Sequence, residues 1–332
     1  MAFLDLEKAF DKVSRGKLWE ILYRKGLPYH LISVIKSLYK NTRIQIDTGR
    51  KILDEMYINQ GVRQGCSLSP TLFNLYIDDL LRTWKNNVKD GILLKRNIYF
   101  NTLLFADDQL IIQDGEDKLQ RSVHIFSQMA REYNLKISSS KTKIMAFRGK
   151  HLIRSKIVID GSIIEQVNQF NYLGCELSLV GEIDLDKKLN RFQHVCGTIR
   201  RHLKKTSTEA QIKLYKVAAR PTLLYGSETW VTTKREDSRI TAAEMRFLRG
   251  VQGYRRIDRI RNSRIRDELQ IIGIIESVRD KYKQNWIDHL ERMEDPRLPK
   301  CALNYKPKGK RDRGRPRGRW QNRALAGTGL TA

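Results

Sequence analysis

Two adjacent acidic residues, Asp107 and Asp108, separate two short apolar runs in the middle of the chain. This pattern predicts a strand, a tight turn and a second strand, with both carboxylates at the turn. Another acid, Asp5, ends a three-residue apolar run. Like charges repel in low-dielectric surroundings, so carboxylates held together there are costly unless a cation neutralises them. The pattern predicts a divalent-metal site. For the dipeptide alone, an ordinary polar hairpin turn is the competing interpretation.

The spacing of apolar residues divides the chain into a mixed part and a helical part, with the boundary near residues 178–184. The first part is expected to contain helices at 15–25, 31–39, 68–84 and 119–133, and strands at 43–47, 52–58, 99–105, 110–112, 143–147, 157–159 and 163–164. The second is expected to contain helices at 185–203, 209–220, 237–250, 263–269 and 275–293. This order predicts an α+β fold followed by a helical region.

The chain is strongly basic, with 63 Lys and Arg against 37 Asp and Glu, a formal charge of +26. Residues 1–190 hold 29 basic and 22 acidic residues, a net of +7, and residues 191–332 hold 34 and 15, a net of +19. Clustered basic side chains attract phosphates and release counterions, so we expect a polyanionic partner. Charge alone would suit any basic nucleic-acid-binding protein equally well.

Cysteine usage and hydropathy bear on the compartment. Cys66, Cys175, Cys196 and Cys301 lie far apart and form no C-x-x-C pair, which predicts neither a zinc site nor a disulfide framework. No apolar run approaches the ~18 residues of a membrane span, and residues 1–5 lack the features of a secretory signal. We therefore expect an intracellular protein that is not secreted.

Five segments, in order along about 170 residues, resemble motifs A to E of reverse transcriptases. They are residues 2–11 (AFLDLEKAFD), 61–70 (GVRQGCSLSP), 105–108 (FADD), 134–142 (NLKISSSKT) and 170–174 (FNYLG). Motifs A and B, and Phe105 where retroviral enzymes usually have Tyr, resemble those of non-LTR (LINE-like) retrotransposons. A group II intron enzyme shares this fold, but the LEKAFD wording favours the retrotransposon. The resemblance implies a right-hand polymerase palm, an antiparallel sheet with packed helices, over residues 1–178.

The resemblance also implies a set of metal-binding and catalytic residues. Asp5 and Asp107 would be the principal ligands of two Mg²⁺ ions, with Mn²⁺ as a possible substitute, and Asp108 a neighbour of lesser or structural weight. Two such ions can activate an attacking hydroxyl and stabilise the leaving oxygens of a phosphoryl displacement. Lys141 would be the general acid for the departing pyrophosphate or a phosphate contact; a solvated lysine is the alternative.

Motifs A and B imply a nucleotide pocket. Leu6 and Glu7 would offer backbone groups near the incoming triphosphate. Phe10, five residues after the first catalytic acid, matches the aromatic steric gate that collides with a ribose 2′-hydroxyl; the alternative is an ordinary core phenylalanine. Gln64 and Gly65 would line the nucleotide and template pocket, where a glycine permits close approach.

Nucleic-acid contacts are implied in two further places. Arg63 would contact template phosphate, with a solvated surface charge as an equal alternative. Tyr172, Leu173 and Gly174 would form the primer grip, with a plain hairpin as the alternative.

The C-terminal part is expected to be a helical thumb-like region over residues 179–298 and a disordered basic tail over 299–332. Within the tail, Arg313, Arg315, Arg317 and Arg319 resemble an AT-hook core, which would lie in a narrow A·T minor groove. A non-specific basic tail or a nuclear localisation segment is the alternative. The last twelve residues look foreign to the family.

The implied function is RNA-directed DNA polymerisation, a nucleotidyl transfer from dNTP to a primer 3′-hydroxyl on an RNA template. Such a protein is expected in the nucleus or cytoplasm as a ribonucleoprotein. Only four residues precede Asp5, so the fingers region and the endonuclease of such elements are expected to be missing and the activity weak or absent. The alternatives are a non-catalytic nucleic-acid-binding remnant and a metal-dependent nuclease, and the lack of His or Glu clusters beside the acids argues against the nuclease.

Overall fold

The computed structural model describes residues 1–49, 51, 52, 54–147, 153–179, 184–271, 273 and 275–305. The chain divides into two compact units, residues 1–170 and residues from 171 onward. The first mixes strands and helices and the second is mostly helical, which confirms the predicted order at this level. None of the helices in these residues combines the length and apolarity needed to cross a membrane.

The first unit contains five helices and nearly all of the strands. The helices are α1 (Ala9–Lys12), α2 (Arg15–Arg24), α3 (Tyr29–Tyr39), α4 (Ser69–Asn87) and α5 (Glu116–Glu132). The strands are β1 (Ala2–Leu4), β2 (Arg43–Ile44), β3 (Met56–Tyr57), β4 (Ile92–Lys95), β5 (Ile98–Phe100), β6 (Thr102–Phe105), β7 (Asp108–Ile111), β8 (Lys143–Ile144), β9 (Val158–Ile159) and β10 (Ser162–Ile163). The four helices predicted from periodicity are confirmed, with ends that differ by a few residues.

A four-stranded antiparallel sheet in the order β6-β7-β1-β8 organises this unit. Its central strand β1 is fully buried. Phe3 of β1 pairs with Leu110 of β7 on one side and with Lys143 of β8 on the other. A strand whose two faces are both buried is apolar throughout, and this explains why residues 2–4 carry no polar side chain.

Helices α4 and α5 form the main core beside this sheet. Trp84 and Phe126 are fully buried, with their rings edge to face at 6.4 Å. The Trp84 indole N–H donates to the Ser122 carbonyl at 3.0 Å, and the Tyr76 hydroxyl donates to the Tyr133 carbonyl at 2.7 Å. The aromatic side chains therefore bury their rings without leaving polar groups unpaired.

The segment 99–105, predicted as one strand, is instead divided at Asn101 between β5 and β6. β5 pairs with β4 in a separate hairpin, whereas β6 joins the central sheet. Asn101 is buried, and its side-chain amide donates to the Val88 carbonyl at 3.2 Å. This partner lies 13 residues away in sequence, so the apolar run around Asn101 gave no sign of the break.

In its described residues, the second unit contains seven α-helices. They are α6 (Leu185–His202), α7 (Thr208–Leu214), α8 (Arg220–Leu224), α9 (Lys234–Gln252), α10 (Asn262–Glu268), α11 (Ile275–Arg292) and α12 (Leu298–Leu303), with a π-helical turn (Tyr215–Ala219) between α7 and α8. A hairpin of β11 (Gln169–Tyr172) and β12 (Cys175–Ser178) leads into them. The buried faces of α6 and α9 supply half of the buried residues of this core.

Candidate active site

One end of the central sheet brings the three predicted acidic residues together. Leu4 pairs with Gln109, and Phe105 pairs with Asp108 across the β6–β7 turn. Asp5 follows Leu4 directly, so it leaves β1 at the end of the sheet where Asp107 and Asp108 lie in the neighbouring turn. Antiparallel pairing thus joins acids separated by about a hundred residues in sequence.

The β6–β7 turn has an unusual backbone at Ala106, where φ is 53°. Positive φ at a non-glycine residue is uncommon and costs roughly 1–2 kcal/mol. A positive φ at only the first central residue is the φ pattern of a type II′ turn, which suits a two-residue hairpin. The turn is therefore both tight and strained, and it presents Asp107 at its tip.

Electrostatic repulsion in this cluster is reflected in the pKa of Asp108. Partial desolvation, then the charge of Asp107, then that of Asp5, raise this pKa above its ordinary value. Asp5 Oδ2 is buried without a hydrogen bond, and its nearest cation is the Lys141 ammonium, with Nζ at 3.5 Å. The positive charge of Lys141 does not balance the negative charges of Asp5, Asp107 and Asp108.

The residues present fit a hard divalent cation that is shared with a ligand. Carboxylate oxygens suit Mg²⁺, which is usually held by one or two carboxylates plus substrate phosphates. Within the described part of the chain, no three His, Cys, Asp or Glu side chains converge as a ready-made metal cage. Asp5 Oδ2, which is buried without a hydrogen bond, is the oxygen that such a cation would satisfy.

Asp108→Asn is expected to raise the melting temperature at pH 7 by about 1–2 °C. The raised pKa means that the folded state holds this proton more tightly than the unfolded chain, so ionised Asp108 opposes folding. The gain is fully present above the folded pKa and vanishes as pH falls below about 4, where both states are protonated. Melting curves of both proteins from pH 4 to 8, without metal, measure this, and a lower melting temperature for the variant at pH 7 would refute it.

A cavity of about 620 Å³ lies beside the acidic cluster in the first unit. Predicted site residues Phe10, Arg63, Gln64, Gly65 and Asp107 all contribute to its lining. The structure therefore brings motif A, motif B and the β6–β7 turn to one cavity.

Phe10 lies between the core and the cavity, and its function as a steric gate stays a prediction. Its ring stacks on the fully buried Phe73 at 4.4 Å, so it belongs to the edge of the core, while the residue also lines the cavity. Gly65, which the sequence predicts in the nucleotide and template pocket, has a φ of +81° and open space where a Cβ would project. Backbone conformation requires the glycine here, and the open space leaves room for a ligand.

The motif B loop is fixed to motif A by its own backbone. The Gly61 N–H donates to the Val13 carbonyl at 2.8 Å, and the Val62 N–H donates to the Phe10 carbonyl at 2.9 Å. A Cβ on Gly61 would lie 2.8 Å from the Asp11 carbonyl oxygen, so only glycine permits this approach. The sequence did not predict this attachment of motif B to motif A, and Gly61, the first residue of motif B, was the only residue that indicated it.

Two side chains that the sequence did not single out hold this loop. The Arg15 guanidinium donates to the carbonyls of Gly61 at 3.0 Å and Ile58 at 2.6 Å. The Asp11 carboxylate accepts from Gln64 Nε2 at 2.9 Å. Because a carboxylate can only accept, Asp11 fixes which end of the Gln64 amide faces it and leaves the amide oxygen as an acceptor elsewhere.

Motif D lies directly against motif A. The Ser138 N–H donates to the Asp5 carbonyl at 2.8 Å, and the Glu7 N–H donates to the Lys136 carbonyl at 2.8 Å. Leu6 lies between these bonds with its side chain buried. The Glu7 N–H is therefore engaged within the protein, and the backbone contact of Leu6 and Glu7 with a triphosphate stays a prediction.

The two predicted cations differ in surroundings. Lys141 approaches Asp5, yet its side chain is 71% exposed, so it is both solvated and paired with the candidate metal ligand. Arg63 is exposed, with its guanidinium 5.6 Å from the Tyr39 ring centre and donating to Thr42 Oγ1 at 3.3 Å. Arg63 also lines the cavity, so a contact with template phosphate and a solvated surface charge both stay open as interpretations.

Tyr172, Leu173 and Gly174 form the β11–β12 turn in the second unit. Leu173 and Gly174 have φ of 50° and 75°, as in a type I′ hairpin turn. The Tyr225 hydroxyl donates to the Leu173 carbonyl at 2.9 Å, and a Cβ on Gly174 would lie 3.2 Å from the Tyr225 ring. Tyr225, which follows α8, thus packs against the hairpin turn.

The four tail arginines, Arg313, Arg315, Arg317 and Arg319, lie outside the described residues.

Comparison with known proteins identifies the family. Residues 1–177 match the family model of reverse transcriptase (RNA-dependent DNA polymerase). The chain is 25% identical to a probable RNA-directed DNA polymerase from transposon X-element of Drosophila melanogaster, over 95% of this chain and 34% of that protein. It is 24% identical to the RNA-directed DNA polymerase from mobile element jockey of Drosophila funebris, over 85% and 31%.

A further relative is the Pol polyprotein from type-1 retrotransposable element R2 of Popillia japonica, 30% identical over 54% of this chain and 30% of that protein. The chain thus spans about a third of the length of these relatives. With a family model covering more than half of its residues, the chain belongs to the reverse transcriptase family, among the enzymes of non-LTR retrotransposons.

Proposed function

We propose that this chain carries the centre for RNA-templated DNA synthesis. The primer 3′-hydroxyl oxygen would attack the α-phosphorus of a dNTP, lose its proton, and displace pyrophosphate by cleavage of the α–β phosphoanhydride bond. The observation that carries the proposal is the meeting of Asp5 with Asp107 and Asp108 at one end of the sheet, beside the cavity lined by Phe10.

Asp5 and Asp107 would hold two Mg²⁺ ions, or Mn²⁺, with Asp108 in support. When bound, these ions supply activation of the hydroxyl and neutralisation of the phosphate charge. Lys141, whose ammonium lies 3.5 Å from Asp5 Oδ2, would contact the triphosphate and protonate the leaving pyrophosphate. Divalent metal ions are normal cofactors of the family.

The nucleotide would occupy the cavity. Phe10 would meet the sugar at C2′ and exclude a ribose, since its ring is held by the stack on Phe73. Gln64 and Gly65 would contact the base and template, and Leu6 the triphosphate. Arg63 would contact template phosphate.

By this proposal, residues 1–178 are the palm of a right-hand polymerase, 179–298 a thumb-like region and 299–332 a basic tail. Tyr172, Leu173 and Gly174 would grip the primer. Template RNA, DNA primer and dNTP are the partners, and the bulk positive charge of residues 191–332 suits the nucleic acid.

Primer extension on poly(A)/oligo(dT) with Mg²⁺ and dTTP tests the proposal. Incorporation, even at a low rate, that requires template, primer and metal would support the proposal. No incorporation, together with nucleic-acid binding that weakens steeply with salt, would instead favour a non-catalytic nucleic-acid-binding remnant.

Asp11→Asn is expected to raise KM for dTTP about three- to tenfold while kcat falls less than twofold. An asparagine can donate as well as accept, so it no longer fixes the orientation of the Gln64 amide. A change of this size corresponds to about 1 kcal/mol, the worth of one hydrogen bond. Steady-state primer extension measures it, with Asp114→Asn, which removes an exposed carboxylate paired with Lys118, as the control. An equal loss in both variants would contradict it.

A further inference from the structure

The second unit contains a groove of about 930 Å³ between α6 and α9 that the active site does not use. Five arginines line it, against only two acidic residues, Asp237 and Glu276. The arginines are Arg200, Arg239, Arg246, Arg249 and Arg256. Such an excess of fixed positive charge in a concave surface attracts polyanions.

Most of this positive charge is uncompensated. Asp237 is engaged by Arg279 at 2.6 Å, and Arg239 pairs with Asp186 outside the lining. Among the residues that the structure describes, the other four lining arginines form no ion pair. A groove that keeps several arginines free of carboxylates is suited to receive phosphates.

The arginines of α9 form a stripe along one helix face. Arg239, Arg246 and Arg249 are seven and three residues apart, whereas Ile240 and Phe247 of the same helix are buried in the core. At 1.5 Å per residue the stripe runs about 15 Å along the groove. The helix therefore divides into a core face and a cationic face.

A helical glycine places one more arginine in the groove. The Arg200 guanidinium of α6 lies over Gly250 of α9, where an added Cβ would be 2.6 Å from Cζ. Glycine inside an exposed helix costs roughly 1 kcal/mol relative to alanine. The packing of the Arg200 guanidinium against Gly250 explains why a glycine occupies this helical position.

The shape of the groove favours a single strand over a duplex. Because packed helices lie about 8–10 Å apart, we expect the furrow between α6 and α9 to suit a single strand better than a double helix. Tyr254 also lines it, half-buried, with its hydroxyl donating to Glu268 at 2.9 Å. Cationic side chains along a furrow with an aromatic ring are the elements of single-strand binding.

We propose that this groove binds single-stranded nucleic acid, with Arg200, Arg246, Arg249 and Arg256 on phosphates and Tyr254 beside a base. The site is separate from the proposed polymerase centre and does not depend on catalysis. Its occupant is recognised by its backbone, so the groove carries no sequence preference.

Fluorescence anisotropy of the full chain with a labelled 12-nucleotide oligo(U), across a salt series, tests the proposal. Arg246→Ala combined with Arg256→Ala is expected to weaken binding about tenfold near 0.1 M salt and to reduce the log–log salt slope by about 1.4, at about 0.7 per phosphate. Arg191→Ala combined with Arg201→Ala is the charge-matched control in the same unit, since both residues are exposed and neither lines the groove. Equal weakening in the control would overturn the proposal.

Gly250→Ala provides a test that removes no charge. The new methyl group should displace the Arg200 guanidinium and weaken oligo(U) binding two- to fivefold, with stability unchanged or raised. Unchanged binding, or the same sensitivity of a 12-base-pair duplex to all of these variants, would overturn the single-strand site. Because only binding is measured, failure of primer extension leaves these outcomes unaffected.

Discussion

Replacing Asp107 by Asn is expected to lower primer extension at least about 10³-fold. The substitution keeps the size of the side chain but removes a charge from the tip of the strained β6–β7 turn. Loss of a metal ligand forfeits several kcal/mol of charge stabilisation during phosphoryl transfer. Incorporation of labelled dTTP on poly(A)/oligo(dT), under single-turnover conditions, measures the effect.

Asp117→Asn is the matched control, because Asp117 is an exposed carboxylate in the first turn of α5. It should keep wild-type incorporation. A second measurement is independent of turnover: Mg²⁺ with dTTP should raise the melting temperature of the wild-type protein more than that of Asp107→Asn. An Asp107→Asn protein that retains incorporation within threefold of wild type would exclude this carboxylate from the chemistry.

Replacing Glu244 by Met is expected to destabilise the second unit by about 3–5 kcal/mol. Glu244 is fully buried and accepts hydrogen bonds from the Tyr215 hydroxyl at 2.5 Å, from Arg266 at 3.0 Å and from Arg220 at 3.4 Å. The Arg266 side chain is only 9% exposed. Removing the carboxylate leaves its guanidinium buried without a counter-charge, and this accounts for most of the cost.

Denaturant unfolding followed by far-UV circular dichroism measures the change, with the two units treated as separate transitions. Replacing Glu244 and Arg266 together by Met should recover part of the loss, because the buried charge of Arg266 is removed, whereas Arg220, whose side chain is 12% exposed, still lacks its partner. Arg264→Ala, which breaks an exposed pair with Glu268, should cost less than about 1 kcal/mol. If the double variant were as unstable as the single one, the cost would arise from packing and not from the unpaired charge.

The same cluster shows the limit of sequence reasoning in the helical unit. The apolar spacing of α9 predicted the helix, and Glu244 would be read from its charge as a solvated residue. It is buried because Arg266 and Tyr215, 22 and 29 residues away, satisfy its oxygens. No local sequence pattern predicts such a long-range hydrogen-bond network.

At the candidate active site, the motifs predicted residues that line the cavity but not the residues that hold them in place. Phe10, Gln64 and Gly65 could be named from their resemblance to motifs A and B, and they line one cavity. Asp11 and Arg15, which hold the motif B loop in place, carried no comparable signal. Their function depends on carbonyl and amide groups supplied by a loop about 50 residues further along the chain.

The sequence by itself determined the family, the mixed-then-helical order and the identity of the acids, because motifs and apolar periodicity are local properties of the chain. Only the tertiary structure decided that Asp5 leaves its strand beside Asp107 and Asp108, that Gly61 fits against the Asp11 carbonyl, and that arginines of α6 and α9 share one groove. Strand register and helix packing select long-range neighbours, and these are fixed by the burial of the whole core and not by any single segment.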